Sequence, residues 1–339
     1  MKLTCKFLFI LSTLAMTAQA EPVFVDGVSM ETGWYDCNKK QKWSWQAFPP
    51  SYYNKEVFPD DLSMCWAHAA SNVLQWWQDA QAPSLIPATA PNGKSDTAVS
   101  FYATVPDKVG SQRIDDPLYV QQLAIYKDIA KNWENTGGKV MQAYNWYFNG
   151  GKLDTIEGTL KNPNSGGYYA DLGLVMTGNT SPLFTSFTFN DSFTRAEIID
   201  TLVRFIDNNY GTTLSLASKE GGHAVTMWGY EQVGEDFFVY LTDSDDAQHA
   251  LIKQKVVFSD TKWAYLTACD GDTPVYTEQW VTDLYGYANI TINGVEQEIQ
   301  GIMLSEAQAF MAPRLSIPEP ASATLSLLAL CGLAARRRR

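Results

Sequence analysis

The sequence has 339 residues, of which 45% are hydrophobic and 13% aromatic, with 25 lysines and arginines against 37 aspartates and glutamates. Setting aside Lys2, Lys6 and the four C-terminal arginines leaves 19 basic residues and a net charge of −18 for residues 21–335. A surface this acidic excludes nucleic acid and anionic membrane as partners of the folded body, and it favours solubility.

The first 20 residues have the pattern of a secretory signal peptide. Lys2 and Lys6 precede an apolar run over residues 7–16, and Ala18-Gln19-Ala20 forms a small-residue cleavage site. The apolar run is too short to span a membrane. The alternative is a buried N-terminal helix. We expect secretion, with the mature chain starting at residue 21.

Residues 21–59 are irregular and rich in aromatic residues and proline, which indicates an arm lying over other elements. A strong amphipathic helix follows over residues 66–77, with Asp61 or Ser63 as the predicted N-cap. Residues 116–133 also show helical spacing. Residues 135–151 and 161–167 carry repeated Gly and Asn, which predicts turns.

Thr194-Arg195-Ala196-Glu197 is a capping box that predicts a helix ending near Asn208. After Gly211 the hydrophobic period changes to two, which predicts strands. These strands cover residues 212–217, 223–230, 237–242 and 250–258, and Asn293-Gly294 marks a later hairpin. The domain over residues 21–316 is therefore expected to have a helical lobe, about 21–211, and a sheet lobe, about 212–316.

The last segment, residues 317–339, contains Pro318-Glu319-Pro320, an apolar run and then Arg336–Arg339. These three features in this order resemble the bacterial PEP-CTERM sorting signal. The resemblance implies transient membrane contact through the tail, an exosortase-type sorting enzyme as partner, and a secreted or cell-surface location.

Three cysteines remain between the two end segments, because Cys5 and Cys331 lie within those segments. An odd number in an oxidising compartment allows one disulfide and one free thiol. Cys37 and Cys269 are the expected pair if Cys65 is reactive. The alternative is three free thiols.

Cys65 is predicted to lie in the first turn of its helix, where the unpaired N–H groups and the helix dipole favour a thiolate. Its backbone N–H could also face a developing oxyanion. The competing interpretation is an inert, buried cysteine, which is common in protein cores.

His223 follows two glycines and begins a strand, so it is the predicted base; His68 and His249 are weaker candidates. Asp243 ends the next strand and could orient the imidazole. The alternative for Asp243 is an acidic turn or a calcium loop, although an EF-hand glycine and distal glutamate are missing. No zinc motif and no G-x-S-x-G motif is present.

Four segments, in order along the chain, resemble the secreted immunoglobulin-degrading cysteine endopeptidases of the IdeS/Mac group. They are Gly33-Trp34-Tyr35-Asp36 with Lys39; Asp60-Asp61-Leu62 with Cys65, Ala67, Asn72 and Trp76-Trp77; His223-Ala224-Val225 with Trp228-Gly229; and Tyr240-Leu241-Thr242-Asp243-Ser244-Asp245. The middle of the chain matches this group poorly. Two departures are Cys37, where the family needs no thiol, and the bulky Trp66 after the nucleophile.

The resemblance implies a papain-like α+β fold, with a mainly helical N-terminal lobe carrying the cysteine helix and an antiparallel-sheet C-terminal lobe carrying the histidine and aspartate. It implies Cys65 as nucleophile, His223 as base and Asp243 as the group that orients the histidine. It also implies Asp245 as a supporting carboxylate, and Lys39 with the Cys65 N–H as the oxyanion site. No cofactor or metal is implied.

The expected function is a secreted cysteine endopeptidase that hydrolyses protein substrates through a thioester, with immunoglobulin as the implied substrate. Two alternatives stay open. One is an acyl transferase of the transglutaminase type, which would use the same three residues. The other is a non-enzymatic surface or adhesion module, to which the aromatic arm and the tail are suited.

Overall fold

The computed structural model describes most of the domain between the two end segments. It covers residues 21–37, 39, 61, 63–92, 123–153, 158–174, 182–190, 192–218, 221–244, 251–268 and 287–312, together with the backbone of four short strands between residues 99 and 120. The expected signal peptide (1–20) and sorting tail (317–339) lie outside the described residues.

The four α-helices lie in the first two thirds of the described chain, and seven strands follow the last of them. The helices are α1 Cys65–Trp76, α2 Ala124–Asn132, α3 Val140–Asn149 and α4 Arg195–Asp207. The strands are β1 Val23–Phe24, β2 Val99–Ser100, β3 Lys108–Val109, β4 Gln112–Arg113, β5 Tyr119–Val120, β6 Phe184–Thr188, β7 Gly211–Ser218, β8 Gly221–Val233, β9 Asp236–Thr242, β10 Ile252–Phe258, β11 Ala264–Ala268, β12 Tyr287–Ile292 and β13 Val295–Phe310.

Six of the strands close into an antiparallel barrel. The order is β8-β7-β13-β11-β10-β9, and β9 returns to pair with β8. Closure removes the open edges that a flat sheet would leave. The outer strands β1, β6 and β12 extend the barrel by pairing with β8 or β13.

The helix α1 packs against the wall of the barrel formed by β7 and β8, and it is buried over its whole length. Small residues allow this close approach: Ala67 and Ala70 have no exposed surface. Where the backbone of β1 crosses β8, a Cβ on Gly229 would lie 2.4 Å from the carbonyl oxygen of Val23, so only glycine fits. The core therefore runs without a break from the helices into the barrel wall.

The papain-like fold with two lobes, expected from the resemblance, is wrong. The closed barrel is the central unit; α1, α3 and α4 pack against its strands, and α2 packs on α1. Strands from the expected helical lobe join the same sheet: Val23 pairs with Tyr230, and β6 pairs with the end of β13. Hydrophobic alternation predicts that a strand is half-buried, but it does not say which distant strand will close the ring.

Several predicted elements are present at nearly the expected bounds. The capping box of α4 has both of its hydrogen bonds, and the Asn293-Gly294 turn joins β12 to β13. The helix predicted over residues 116–133 is confirmed only from Ala124 onward.

Two predictions for the helices were wrong. Residues 140–149 form α3 instead of turns. The helical spacing of Val140, Ala143, Tyr144, Tyr147 and Phe148 is the sequence signal that indicates this helix. No side chain caps α1, whose N-cap residue is Met64. Of the two predicted caps, Asp61 accepts a hydrogen bond from Tyr126 instead, and the backbone N–H of Ser63 donates to Asn135.

Candidate active site

Cys65 is the first residue of α1 and lines a cleft of about 410 Å³. Its side chain is 9% exposed, so it is shielded but reaches the cleft surface. Since no side chain caps the helix, the positive end of its dipole faces the region of the thiol. This placement favours the thiolate, the nucleophilic form of cysteine.

His223 lines the same cleft and is held by Asp243. The register Thr226↔Thr242 between β8 and β9 brings the two side chains together. The His223 Nε2 and Asp243 Oδ1 atoms are 2.6 Å apart, and the two residues are 4% and 0% exposed. Because Nε2 is used by the carboxylate, proton exchange with a thiol falls to Nδ1.

Asn72 ties the cysteine helix to the histidine strand. Its side-chain amide donates to Thr226 Oγ1 at 3.1 Å, and its carbonyl oxygen accepts from the backbone N–H of Cys37 at 2.9 Å. The Thr226 hydroxyl in turn donates to the carbonyl of Ala69 at 3.3 Å. These buried bonds hold α1, β8 and the N-terminal arm in one arrangement.

The end of β9 that carries Asp243 is fixed from two sides. The Thr242 hydroxyl accepts from Trp228 Nε1 at 3.0 Å and donates to the carbonyl of Tyr35 at 2.8 Å. The backbone N–H of Lys39 donates to the carbonyl of Ser244 at 2.8 Å. The arm over residues 35–39 therefore braces the carboxylate.

Lys39 was predicted to contribute to an oxyanion site. The structure buries it completely beside the end of β9, and it is not among the described residues that line the cleft. Its backbone braces the end of β9, and its role in an oxyanion site stays a prediction. Asp245, the predicted supporting carboxylate, lies outside the described residues.

His68, one weaker candidate for the base, is not among the described residues that line the cleft. Its Nδ1 lies 2.9 Å from the carbonyl of Met64, and its ring stacks on Tyr126 with centroids 3.6 Å apart. Tyr126 donates to Asp61 at 3.2 Å. This cluster holds the turn before Cys65, and it explains why Asp61 does not cap the helix. His249 lies outside the described residues.

A glycine segment before α3 forms one wall of the cleft, and residue patterns had indicated only a turn there. Gly137, Gly138 and Trp66 all line the cleft. The indole Nε1 of Trp66 donates to the carbonyl of Thr136 at 3.1 Å, and a Cβ on Gly138 would lie 2.5 Å from the indole ring. The bulky residue after the nucleophile therefore supports this wall. Nearby, the backbone N–H of Ser63 donates to Asn135 at 2.9 Å.

Charged and hydroxyl side chains line the cleft beyond His223. Ser215 and Ser305 are joined by a 2.9 Å bond from the Ser305 hydroxyl to the Ser215 carbonyl. Lys139 and Glu306 form an ion pair of 3.7 Å across the cleft. Sequence reasoning missed this pair, because the two residues are far apart in the chain and belong to no motif.

Cys37 differs sharply from Cys65. It is a free thiol with no exposed surface, and its sulfur accepts from the N–H of Leu123 at 3.4 Å. Burial raises the pKa of Cys37 to about 12. Since Cys37 is a free thiol, it does not form the expected disulfide to Cys269. Cys269 itself lies outside the described residues.

Two other features are absent from the described residues: a metal-binding cluster and a helix able to span a membrane. No three His, Cys, Asp or Glu side chains in that part of the chain are grouped to hold a metal ion. Within the same residues, no helix has the length and apolar character needed to cross a membrane. No protein-family model and no curated protein matches this chain.

Proposed function

We propose that this protein is a cysteine endopeptidase that hydrolyses peptide bonds through a thioester on Cys65. The observation that carries the proposal is the buried 2.6 Å bond between His223 and Asp243 beside a cleft that Cys65 also lines. A thiol at a helix N-terminus and an oriented imidazole are the two groups that thiol catalysis needs.

The chemistry divides into two balanced halves. His223 Nδ1 takes the thiol proton, and the sulfur forms a bond to the substrate carbonyl carbon. The C–N bond then breaks as the imidazolium returns its proton to the leaving amine. In the second half, His223 takes a proton from water, and the water oxygen attacks the thioester carbonyl. The C–S bond then breaks, the carboxylic acid is released, and the thiolate regains the proton from the imidazolium.

Charge stabilisation in this scheme comes from fixed groups. The buried Asp243 carboxylate stabilises the imidazolium that forms during each half. In this scheme the backbone N–H of Cys65 and the positive end of the α1 dipole stabilise the negative charge that develops on the carbonyl oxygen. A cleft of about 410 Å³ is large enough for several atoms on each side of the bond.

The walls of the cleft favour a polypeptide as substrate. Gly137 and Gly138 on one side, and Gly222 on the other, allow an extended backbone to approach closely. Immunoglobulin is the substrate that the sequence resemblance suggests, so it belongs in the test. Secretion and sorting through the end segments are part of the same proposal.

The first test is thiol labelling. Purified protein would be treated with iodoacetamide at pH 7 and mapped by mass spectrometry, with Cys37 as the internal control. Cys65 should be alkylated much faster than Cys37. Equal, slow labelling of both cysteines would refute an activated Cys65 and would favour a non-enzymatic module.

The second test is proteolysis by the wild type and by Cys65→Ala. Immunoglobulin G, other immunoglobulins and casein would be incubated with each and the fragments sequenced. New N-termini from the wild type alone support an endopeptidase, and the substrate cleaved identifies its preference. Amine incorporation without new N-termini would instead identify an acyl transferase.

A further inference from the structure

The cleft contains a charged group that the proposed chemistry does not use. Glu306 lies on β13, and its side chain is 11% exposed. Burial on this scale is unusual for a glutamate, since removal of a carboxylate from water is unfavourable. Among the described residues it pairs with Lys139 at 3.7 Å, which is beyond the length of a hydrogen bond.

Lys139 is not placed where it would best support its own element. It is the N-cap residue of α3, and it forms no side-chain cap bond there. A cation at a helix N-terminus opposes the helix dipole. The side chain is 44% exposed, so it can leave Glu306 for solvent at little loss.

The strand register sets the spacing between Glu306 and the strand that carries the base. Glu306 pairs with Ser215, and Ser215 pairs with Ala224, the residue after His223. Two strand spacings separate Glu306 from Ala224 by about 10 Å, which an extended peptide covers in about three residues. A β-bulge between Leu304 and Glu306 interrupts β13 here, and bulges re-aim side chains beside active sites.

We propose that Glu306 is a specificity residue that binds the cationic side chain of an arginine or lysine two to four residues from the cleaved bond. Lys139 forms an ion pair with the Glu306 carboxylate, and the substrate cation takes its place on binding. The net charge of −12 for the whole chain would also attract basic segments. This inference rests on the proposed peptidase function for its catalytic meaning.

The exchange is favourable because a substrate guanidinium can bond the Glu306 carboxylate more closely than Lys139 does. A guanidinium can make two short parallel bonds to a carboxylate, whereas the Lys139 ammonium stays at 3.7 Å. Bonds of this kind are stronger in a shielded cleft than in water. An anionic substrate residue would meet Glu306 with like charge and be disfavoured.

The test uses the full chain and peptides that carry arginine or its neutral analogue citrulline at successive positions. The readout is the ratio of kcat/KM for arginine over citrulline. We expect a ratio of about 10 or more at one position in the wild type, equal to about 1.4 kcal/mol. The ratio should fall towards 1 in Glu306→Gln and rise in Lys139→Met.

Glu298→Gln is the matched control, because Glu298 lies on the same strand with the same charge but is exposed and outside the cleft. It should keep the wild-type ratio. A ratio near 1 at every position in the wild type, or an undiminished ratio in Glu306→Gln, would overturn the inference.

A binding arm separates this inference from the peptidase proposal. Cys65→Ala protein would be titrated calorimetrically with the same arginine and citrulline peptides, with and without Glu306→Gln. Arginine-selective binding lost in Glu306→Gln, with no cleavage by the wild type, keeps the subsite and rejects the peptidase. Cleavage without arginine selectivity keeps the peptidase and rejects the subsite. Absence of both binding and cleavage rejects both.

Discussion

The bond between His223 and Asp243 offers the sharpest quantitative prediction. In Asp243→Asn the side chain keeps its shape, so the ring can still be held, but the negative charge is lost. The original bond is 2.6 Å long, and the two side chains are 2% and 0% exposed, so solvent screens it little. A buried hydrogen bond to a charged group contributes about 1.5–3 kcal/mol.

In the proposed mechanism, that energy stabilises the imidazolium that forms when His223 takes the thiol proton. We therefore expect kcat/KM to fall by about 10- to 150-fold, mostly through kcat, since about 1.4 kcal/mol is tenfold. The assay is steady-state hydrolysis of a peptide that the wild type cleaves, at pH 7, with thermal unfolding measured in parallel.

Asp260→Asn is the matched control for this substitution. The Asp260 carboxylate accepts from the N–H groups of Asn293 and Gly294 at 2.9 and 2.7 Å, so its role is to hold a turn. This variant should lose stability and keep kcat/KM. Full activity in Asp243→Asn, with the fold intact, would refute the role of Asp243 in catalysis.

Three further predictions test the cleft wall, a helix cap and the buried thiol. Gly138→Ala should lower the rate of peptide hydrolysis, because its Cβ would lie 2.5 Å from the Trp66 ring. Gly137→Ala is the control, since its Cβ would meet nothing within 4 Å, and it should keep more of the wild-type kcat/KM when the two variants are assayed together. Thr194→Ala removes the capping box and should lower unfolding free energy by about 0.5–2 kcal/mol at unchanged kcat/KM, as measured by urea denaturation. Burial raises the pKa of the Cys37 thiol from 9.0 to about 12. The protonated thiol therefore contributes its full stability below pH 9, and this contribution is lost as the pH rises towards 12. The melting temperature should therefore fall over that range, and less steeply in Cys37→Ala; equal slopes would contradict this.

Much of the local structure could be predicted from residue patterns. The helix at Cys65, the capping box at Thr194 and the hairpin at Asn293-Gly294 follow from short-range rules, because the groups that interact are only a few residues apart. The helix α3 has the required apolar spacing, but the Gly and Asn residues on either side of it led to the prediction of turns. Burial of its aromatic face stabilises it more than intrinsic propensity does.

The candidate site could be predicted in part for the same reason. Cys65 at a helix start, His223 at a strand start and Asp243 at the end of the next strand follow from residue patterns, and the family resemblance added Lys39 and Asp245. Glu306 and Lys139 were missed because no local pattern joins residues on β13 and before α3. Only strand pairing brings them to one cleft.

The sequence by itself determined the acidic charge, the amphipathic helix behind Cys65 and the strands that carry His223 and Asp243. The tertiary structure decided that six strands close into one barrel, that Lys39 is buried as a brace, and that Glu306 faces the cleft. The physical reason is distance along the chain. Local propensities act over a few residues, whereas barrel closure and site assembly depend on non-local pairing that local patterns leave open.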